Sequence, residues 1–313
     1  MIMQEFALRV VKIHNKNISE YIDTSDCLVY HYTSPAGFNG IISNHTLRFT
    51  DRNYLNDYTE GRYVMGLCLR SRCSLLLPKE HRKFFKDKCE ELYKNPAVKK
   101  RLVYQCSFSI SSDNLALWNY YTKGEGIKGY NLCFSACDLE SALKTNKPNS
   151  HKKTKVTRGK VIYNIQEQTA IIKKIISEFA EALIQEKADV TNCEIAIELL
   201  VEKLLLVGAF FKAPCFKHEE EYRMIIQPLA AWNDETNSVY FLNLEKTAAT
   251  YEKNGLLIPY VDIEFSQNAL KGITSSPTLD FAEVQANLRN VLRIYGYAEK
   301  TIAIRPSQIP IRY

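Results

Sequence analysis

Two hydrophobic periods alternate along this chain, and between them they predict its elements. Short β-branched or aromatic stretches bounded by turn residues read as strands at 27–32 (CLVYHY), 46–50 (TLRFT), 103–110 (VYQCSFSI), 130–135 (YNLCFS), 161–165, 222–227 (YRMIIQ), 239–244, 255–265 and 301–304. Helical spacing takes over elsewhere. Ser34-Pro35 opens a helix with Phe38, Ile41 and Ile42 on one face and Asn44 at its end. Residues 78–101 form a charged amphipathic helix carrying Phe84, Phe85, Cys89, Leu92 and Tyr93. Ser111-Ser112-Asp113 is an N-cap signal for a helix bearing Leu117, Trp118, Tyr120 and Tyr121, closed by Gly124, Gly126 and Gly129. Asn56-Asp57-Tyr58-Thr59-Glu60 reads as a cap and first turn. Residues 166–211 predict two helices broken around 189–192, and 281–295 a last helix.

The strands come in separated groups without regular βα alternation, which predicts an α+β fold with a mixed, largely antiparallel sheet. We expect one domain over 1–313, with 166–211 as a helical insertion within it.

Composition narrows the class. With 313 residues, 46% hydrophobic and 24% charged, the chain falls in the globular range. No run approaches the ~18 apolar residues of a membrane span. The first residues lack the basic start, apolar middle and small-residue cleavage site of a signal peptide, so a cytoplasmic protein with no membrane contact is expected. The nine cysteines include no CxxC pair and mostly lie in apolar runs such as Leu132-Cys133-Phe134, as buried free thiols would. A metal site would need Cys133 and Cys137 to join two histidines, and no spacing supports one.

The net charge of +6 is mildly basic. Lysines and arginines gather at 99–101 and from His151 to Lys160, where a phosphate-seeking patch competes with a solvated loop. The preceding Asn146-Lys147-Pro148-Asn149-Ser150 and the lack of interleaved aromatics favour the loop.

Three constellations have candidate chemistry. His31-Tyr32-Thr33 ends a strand, with His31 and Thr33 on one face and Tyr32 on the other; such a histidine is either a structural hydrogen-bonder or a ligand contact. Ser107 and Ser109 precede the helix of Asp113, Trp118 and Tyr121, whose rings are either a core stripe or a stacking wall. In Glu219-Glu220-Glu221-Tyr222-Arg223, extended backbone would put Glu219, Glu221 and Arg223 on one face. That is either a surface salt-bridge ladder or one oriented carboxylate able to bind a sugar hydroxyl or stabilise a developing cation, with Arg223 deciding which.

These motifs together resemble the bacterial domain of unknown function 2971 family. The likeness rests on Tyr30-His31-Tyr32-Thr33, Leu47-Arg48-Phe49-Thr50, Asn56-Asp57-Tyr58-Thr59-Glu60, Cys106-Ser107-Phe108-Ser109 and Leu117-Trp118-Asn119-Tyr120-Tyr121. It continues through 126–134 and 212–223, where Phe216 replaces a Trp, to the closing 307–312. Its layout in turn resembles the ADP-ribosyltransferase superfamily, with His on an early strand and Glu on a late one. That likeness implies NAD as substrate and a sheet of the ADP-ribosyltransferase type. It implies His31 on the adenosine-side ribose, Tyr121 stacking the nicotinamide, and Glu221 (or Glu219) on the nicotinamide-ribose hydroxyl at an oxocarbenium-like transition state. Arg48 would meet the pyrophosphate, with Tyr32, Thr33, Ser109, Trp118 and Arg223 completing the site. Tyr32 stands where the nearest superfamily strand has Gly.

The reading that follows is an NAD-consuming transferase or glycohydrolase, a bacterial toxin or phage-defence effector with an unknown macromolecular acceptor and a neutralising partner protein. The alternative is a non-catalytic ligand- or partner-binding protein with Glu221 locked by Arg223. A nuclease with Asp57, Glu60, Glu219 and Glu221 as metal ligands is a third reading without a supporting signature.

Overall fold

The computed structural model describes residues 2–55, 57, 59–95, 103–122, 126–143, 155–185, 190–228, 230–233, 238–241, 244 and 246–311. In chain order its elements are α1 (Ile2–His14), β1 (Leu28–Thr33), α2 (Pro35–Asn44), β2 (Thr46–Asp51), α3 (Tyr63–Arg70), α4 (Lys79–Lys94), β3 (Tyr104–Ser109) and α5 (Leu115–Tyr121). There follow β4 (Tyr130–Ser135), α6 (Ala136–Ala142), β5 (Thr157–Lys160), α7 (Ile165–Gln185), α8 (Val190–Val207), β6 (Glu221–Ile226), β7 (Ala230–Asn233) and β8 (Ser238–Phe241). The chain closes with β9 (Lys246–Thr247), β10 (Ala249–Lys253), β11 (Leu256–Glu264), β12 (Leu270–Ser275), α9 (Phe281–Ile294) and β13 (Ala303–Pro306). This is a mixed α/β chain whose main sheet is largely antiparallel and open, as the strand grouping predicted.

The chain folds into two compact units, one of Met1–Thr24, Arg52–Lys100 and Gly159–Phe216, the other of Ser25–Asp51, Arg101–Arg158 and Lys217–Tyr313. The first is helical. Segment 166–211 supplies α7 and α8 to it, alongside α1, α3 and α4. Ile172, Ile175, Ile176 and Phe179 of α7 and Ile197, Leu200 and Leu204 of α8 are fully buried, the apolar stripes their spacing predicted. Buried Lys203 donates to the carbonyls of His14 and Lys16, answering acceptors that the end of α1 leaves open.

The second unit holds the sheet, and β3 organises it. One edge of β3 pairs along its whole length with β6, from Tyr104–Ile226 to Ser109–Glu221. The other edge is divided: β2 takes its start, at Asp51–Tyr104 and Thr50–Gln105, and β1 takes its end, at Tyr30–Ser109. The sheet therefore parts into two wings, β2–β11–β10 and β1–β4–β12–β13. Leu47, Phe49, Val261 and Ile263 from one wing and Val29, Leu132, Phe134 and Ile273 from the other bury in a single core cluster, with Phe38, Leu139, Leu288 and Leu292 added by α2, α6 and α9. The pair β12–β13 is parallel.

Several local expectations are corrected. The cap of α5 is Asn114, not Ser111–Asp113; its side chain accepts from the N–H groups of Ala116 and Leu117. Asp57 accepts from Thr59 in a turn, and the next helix, α3, starts only at Tyr63 without a side-chain cap; Asn56 and Tyr58 lie outside the described residues. Residues 161–165 do not form a strand, because the ladder comes earlier, at β5, and Ile165 already opens α7. Val190 to Asn192, expected in the helix break, are the first turn of α8. The basic stretches 99–101 and 151–154 lie outside the described residues, as does Gly124. Arg158 belongs to neither loop nor patch: it pairs with Glu140 and donates to the Tyr222 hydroxyl at 2.7 Å. Burial pushes the Tyr222 phenol up to about 12, against the opposing pull of Arg158.

Candidate functional site

Side chains directly opposed across an antiparallel ladder share a face. The register therefore sets Tyr30, Ser109 and Glu221 on one face, with Ser107 beside Arg223 and Gln105 beside Thr50. This polar face of β3 and β6, at the end where β1 joins, forms the floor of a cleft with a cavity of about 40 Å³. Tyr30, His31, Tyr32, Ser107, Phe108, Ser109, Leu117, Tyr121, Glu219 and Glu221 line it. A space of this size takes water or a hydroxyl-sized group.

Val29 on β1 faces the core, so His31, two residues on, starts from the opposite side of the sheet to Glu221. It reaches the cleft because β1 and β3 part beyond Tyr30–Ser109. In the gap, Nδ1 of His31 donates to the Ser107 carbonyl at 3.0 Å, which assigns the ring proton to Nδ1 and makes Nε2 an acceptor. The ring meets Phe108 edge-on. Burial lowers the imidazole pKa, partly offset by the bond to Ser107, so His31 is neutral at pH 7.

Glu219, Glu220 and Glu221 take three different environments. Glu219 ends a 3-10 helix and is not in the strand, contrary to the period-two expectation. The Ser109 hydroxyl donates to its carbonyl at 2.8 Å, and Ile110 N–H to that of Glu220, so the end of β3 fixes the entry to β6. Glu220 is exposed, in left-handed backbone at φ 45°. Glu221 is buried, and Arg223 grips it through both oxygens: Nε to Oε1 at 2.9 Å and Nη2 to Oε2 at 2.8 Å. Both side chains are almost wholly buried, and Glu221 keeps the small exposure that lets it line the cleft.

The side chain of Gln105 completes this floor. Its amide donates to the Ser107 hydroxyl at 2.9 Å and to Glu221 Oε1 at 3.3 Å, while its own carbonyl oxygen has no hydrogen-bond partner. Sequence reasoning missed Gln105, although Gln105, Ser107 and Ser109 form a period-two polar stripe that marks one face of the strand.

Above the floor, α5 is held by Tyr32. The phenol donates to the Ser111 carbonyl at 2.8 Å and accepts the Asn114 N–H at 3.0 Å. Burial raises its pKa. Tyr121, at the far end of α5, is partly exposed and lines the cleft.

Four residues expected in the site are elsewhere. Trp118 is fully buried with Tyr32, Leu117 and Ile127, and its indole N–H donates to Asp113 at 2.7 Å. A ring sealed in this way offers no stacking face, so it is core. Arg48 lies exposed on β2, forked onto Asp262 at 3.1 and 3.3 Å and stacked over Tyr260 at 3.7 Å. Thr33 is buried at the end of β1, and Arg223 backs Glu221 without lining the cleft. Among the described residues no three His, Cys, Asp or Glu side chains converge as a metal-ligand set, and no helix is long and apolar enough to cross a membrane.

One family model matches. It is DUF2971, a protein of unknown function, over residues 117–224. Over that stretch the chain is similar to DUF2971. The DUF2971 match runs from α5 into β6, taking in Tyr121, Glu219, Glu221 and Arg223 and supporting the resemblance read from the motifs, though it stops short of β1 and β2. No curated protein and no solved structure matches the chain.

Proposed function

We propose that the cleft binds the nicotinamide-ribose portion of NAD and cleaves its glycosidic bond, as an ADP-ribosyltransferase-like enzyme or NAD glycohydrolase would. The observation that carries this reading is the meeting of His31, Ser107, Ser109 and Glu221 from adjacent strands β1, β3 and β6 at one cleft edged by Tyr121. Its small cavity suits a ribose hydroxyl, which donates to Glu221, while the nicotinamide ring stacks outside on Tyr121. Nε2 of His31 accepts from a second hydroxyl. As the glycosidic bond lengthens, the carboxylate opposes the positive charge growing on the ribose.

A specific observation favours a second reading. The bidentate Arg223 leaves the Glu221 pair without net charge, so its field on a developing cation is that of a dipole, weaker than that of a lone carboxylate. A locked carboxylate serves binding better than bond cleavage, which suits a ligand- or partner-binding protein.

The two readings separate in one experiment: incubation with NAD, assayed for released nicotinamide, with Glu221→Gln as control. Release that Glu221→Gln abolishes supports the enzyme. Absence of release with an NAD-dependent rise in Tm supports binding alone, and absence of both removes NAD from consideration.

A further inference from the structure

The helical unit contains a feature unrelated to the sheet cleft. Helix α3 ends at Arg70, and the chain turns back at once. Ser71 N–H returns to the Leu67 carbonyl at 2.9 Å and Arg72 N–H to that of Leu69 at 3.2 Å. Arg72 sits in left-handed backbone at φ 49°, and a 3-10 turn (Cys73–Leu76) follows it. Arg82 ties this turn to α4: its Nε donates to the Leu77 carbonyl at 2.9 Å and its Nη2 to that of Leu75 at 3.0 Å. The end of α3, the turn and the start of α4 are thus held in place by the protein's own bonds. Walls fixed in this way lower the ordering cost of binding.

Between these walls lies a cavity of about 400 Å³. Its deep end is apolar, because Cys68 and Phe85 line it although both are buried. Leu69 and Leu75 continue that surface outward, and Leu75 is exposed at the mouth. The polar lining is Arg72, Ser74 and Lys86, all at least partly exposed, and none of the described lining residues is acidic. Among the described residues the Arg72 guanidinium and the Ser74 hydroxyl have no hydrogen-bond or ion-pair partner. Lys86 has Glu90 at 3.5 Å, an exposed pair on one helix that another anion displaces at little cost.

We propose that this cavity binds a small amphipathic monoanion, an apolar body ending in a carboxylate. Pockets for small ligands span roughly 300–1,000 Å³, apolar with a few placed polar groups, and this one fits that description. Benzene occupies a cavity of roughly 150 Å³, so there is room here for about a dozen heavy atoms. The apolar body packs on Phe85, Leu69 and the polarizable sulfur of Cys68, which takes its surface out of water. The carboxylate lies at the rim. There Arg72 presents a planar fork that matches both oxygens, Lys86 adds a point charge and the Ser74 hydroxyl a further donor. A cationic ligand of the same shape meets like charge at that rim and is rejected. The site lies wholly within the helical unit and does not depend on what the sheet cleft binds.

The test titrates octanoate into the full-length protein by isothermal titration calorimetry, beside acetate, which lacks the body, and octylamine, which inverts the charge. Octanoate should bind saturably with a Kd below about 1 mM, and the other two about tenfold or more weaker. Arg72→Asn removes the guanidinium but keeps a residue type that tolerates left-handed backbone, and should weaken octanoate about tenfold. Adding Lys86→Gln should abolish the binding. Lys83→Gln removes a lysine of α4 that does not line the cavity, and should leave the binding unchanged. Three results overturn the proposal: no saturable octanoate binding below about 1 mM, octylamine binding as tightly as octanoate, or a double variant that binds like the wild type. The ligand series on the wild type decides even where a variant fails to fold.

Discussion

Arg223 and Glu221, two positions apart on β6, form a buried bidentate ion pair. An extended strand brings residues two apart to the same face, and Arg223 is long enough to fold back along it. Burying two charges is costly unless they are paired and hydrogen-bonded, as Glu221 is by Arg223 and by the Gln105 amide.

Removing one partner strands the other. Arg223→Met should destabilise the protein by about 3–5 kcal/mol, whereas the double variant with Glu221→Gln should recover most of that loss. Urea unfolding of the two variants checks it; equal stabilities would show that the pair is not coupled.

His31 predicts a pH dependence. Its folded pKa lies below the ordinary value near 6.5, so native and unfolded states are both neutral above that value and the residue contributes no slope there. As pH falls below about 6.5, the unfolded imidazole takes up a proton that the folded one refuses, and stability drops by up to about 1.4 kcal/mol per pH unit until the folded pKa is reached. His31→Gln, which cannot titrate, should flatten the slope between pH 6.5 and 5 in denaturant titrations.

Asp113 ties three segments together. It accepts from the indole of buried Trp118, from the Ser307 hydroxyl and from Gln308 N–H at 2.6 Å. Ile309 and Ile311 then pack against the cluster of Tyr32, Leu117 and Trp118. Asp113→Ala should cost about 2–3 kcal/mol, because it leaves the Trp118 donor unpaired. The loss should shrink in a Trp118→Phe background, a non-additivity that a double-mutant cycle measures.

Arg48 makes the opposite prediction. Its ion pair and ring stacking are exposed, so Arg48→Ala should change stability by less than about 1 kcal/mol. Because Arg48 does not line the cleft, Arg48→Ala should give the same result as the wild type in the NAD test of the proposed function, whether read as nicotinamide release or as Tm shift.

Much of the fold was legible from local pattern. Strand β1 from its aromatic and β-branched run, α2 from Ser34-Pro35, and the buried stripes of α7 and α8 all follow from periodicity and capping, which are short-range effects. The caps that failed, Asp113 for α5 and Asp57 for a helix start, did so because each carboxylate found a different partner. Asp113 is claimed by Trp118 and the chain's end, and Asp57 by Thr59.

By itself the sequence determined which residue types occupy the cleft: a histidine ending a strand, a polar stripe on β3, a glutamate with an arginine two positions on. Only the tertiary structure decided how they act. Register is a non-local property, and one pair, Tyr30 opposite Ser109, assigns Glu221 and His31 to opposite sides of the sheet. The parting of β1 from β3 then lets His31 into the cleft, burial turns Trp118 into core, and Arg48 finds Asp262 on another strand. Arg223 was visible from the start as the residue on which Glu221 depends. That it closes on both carboxylate oxygens depends on how deeply β6 is buried, and burial is set by the whole unit rather than by any local run of residues.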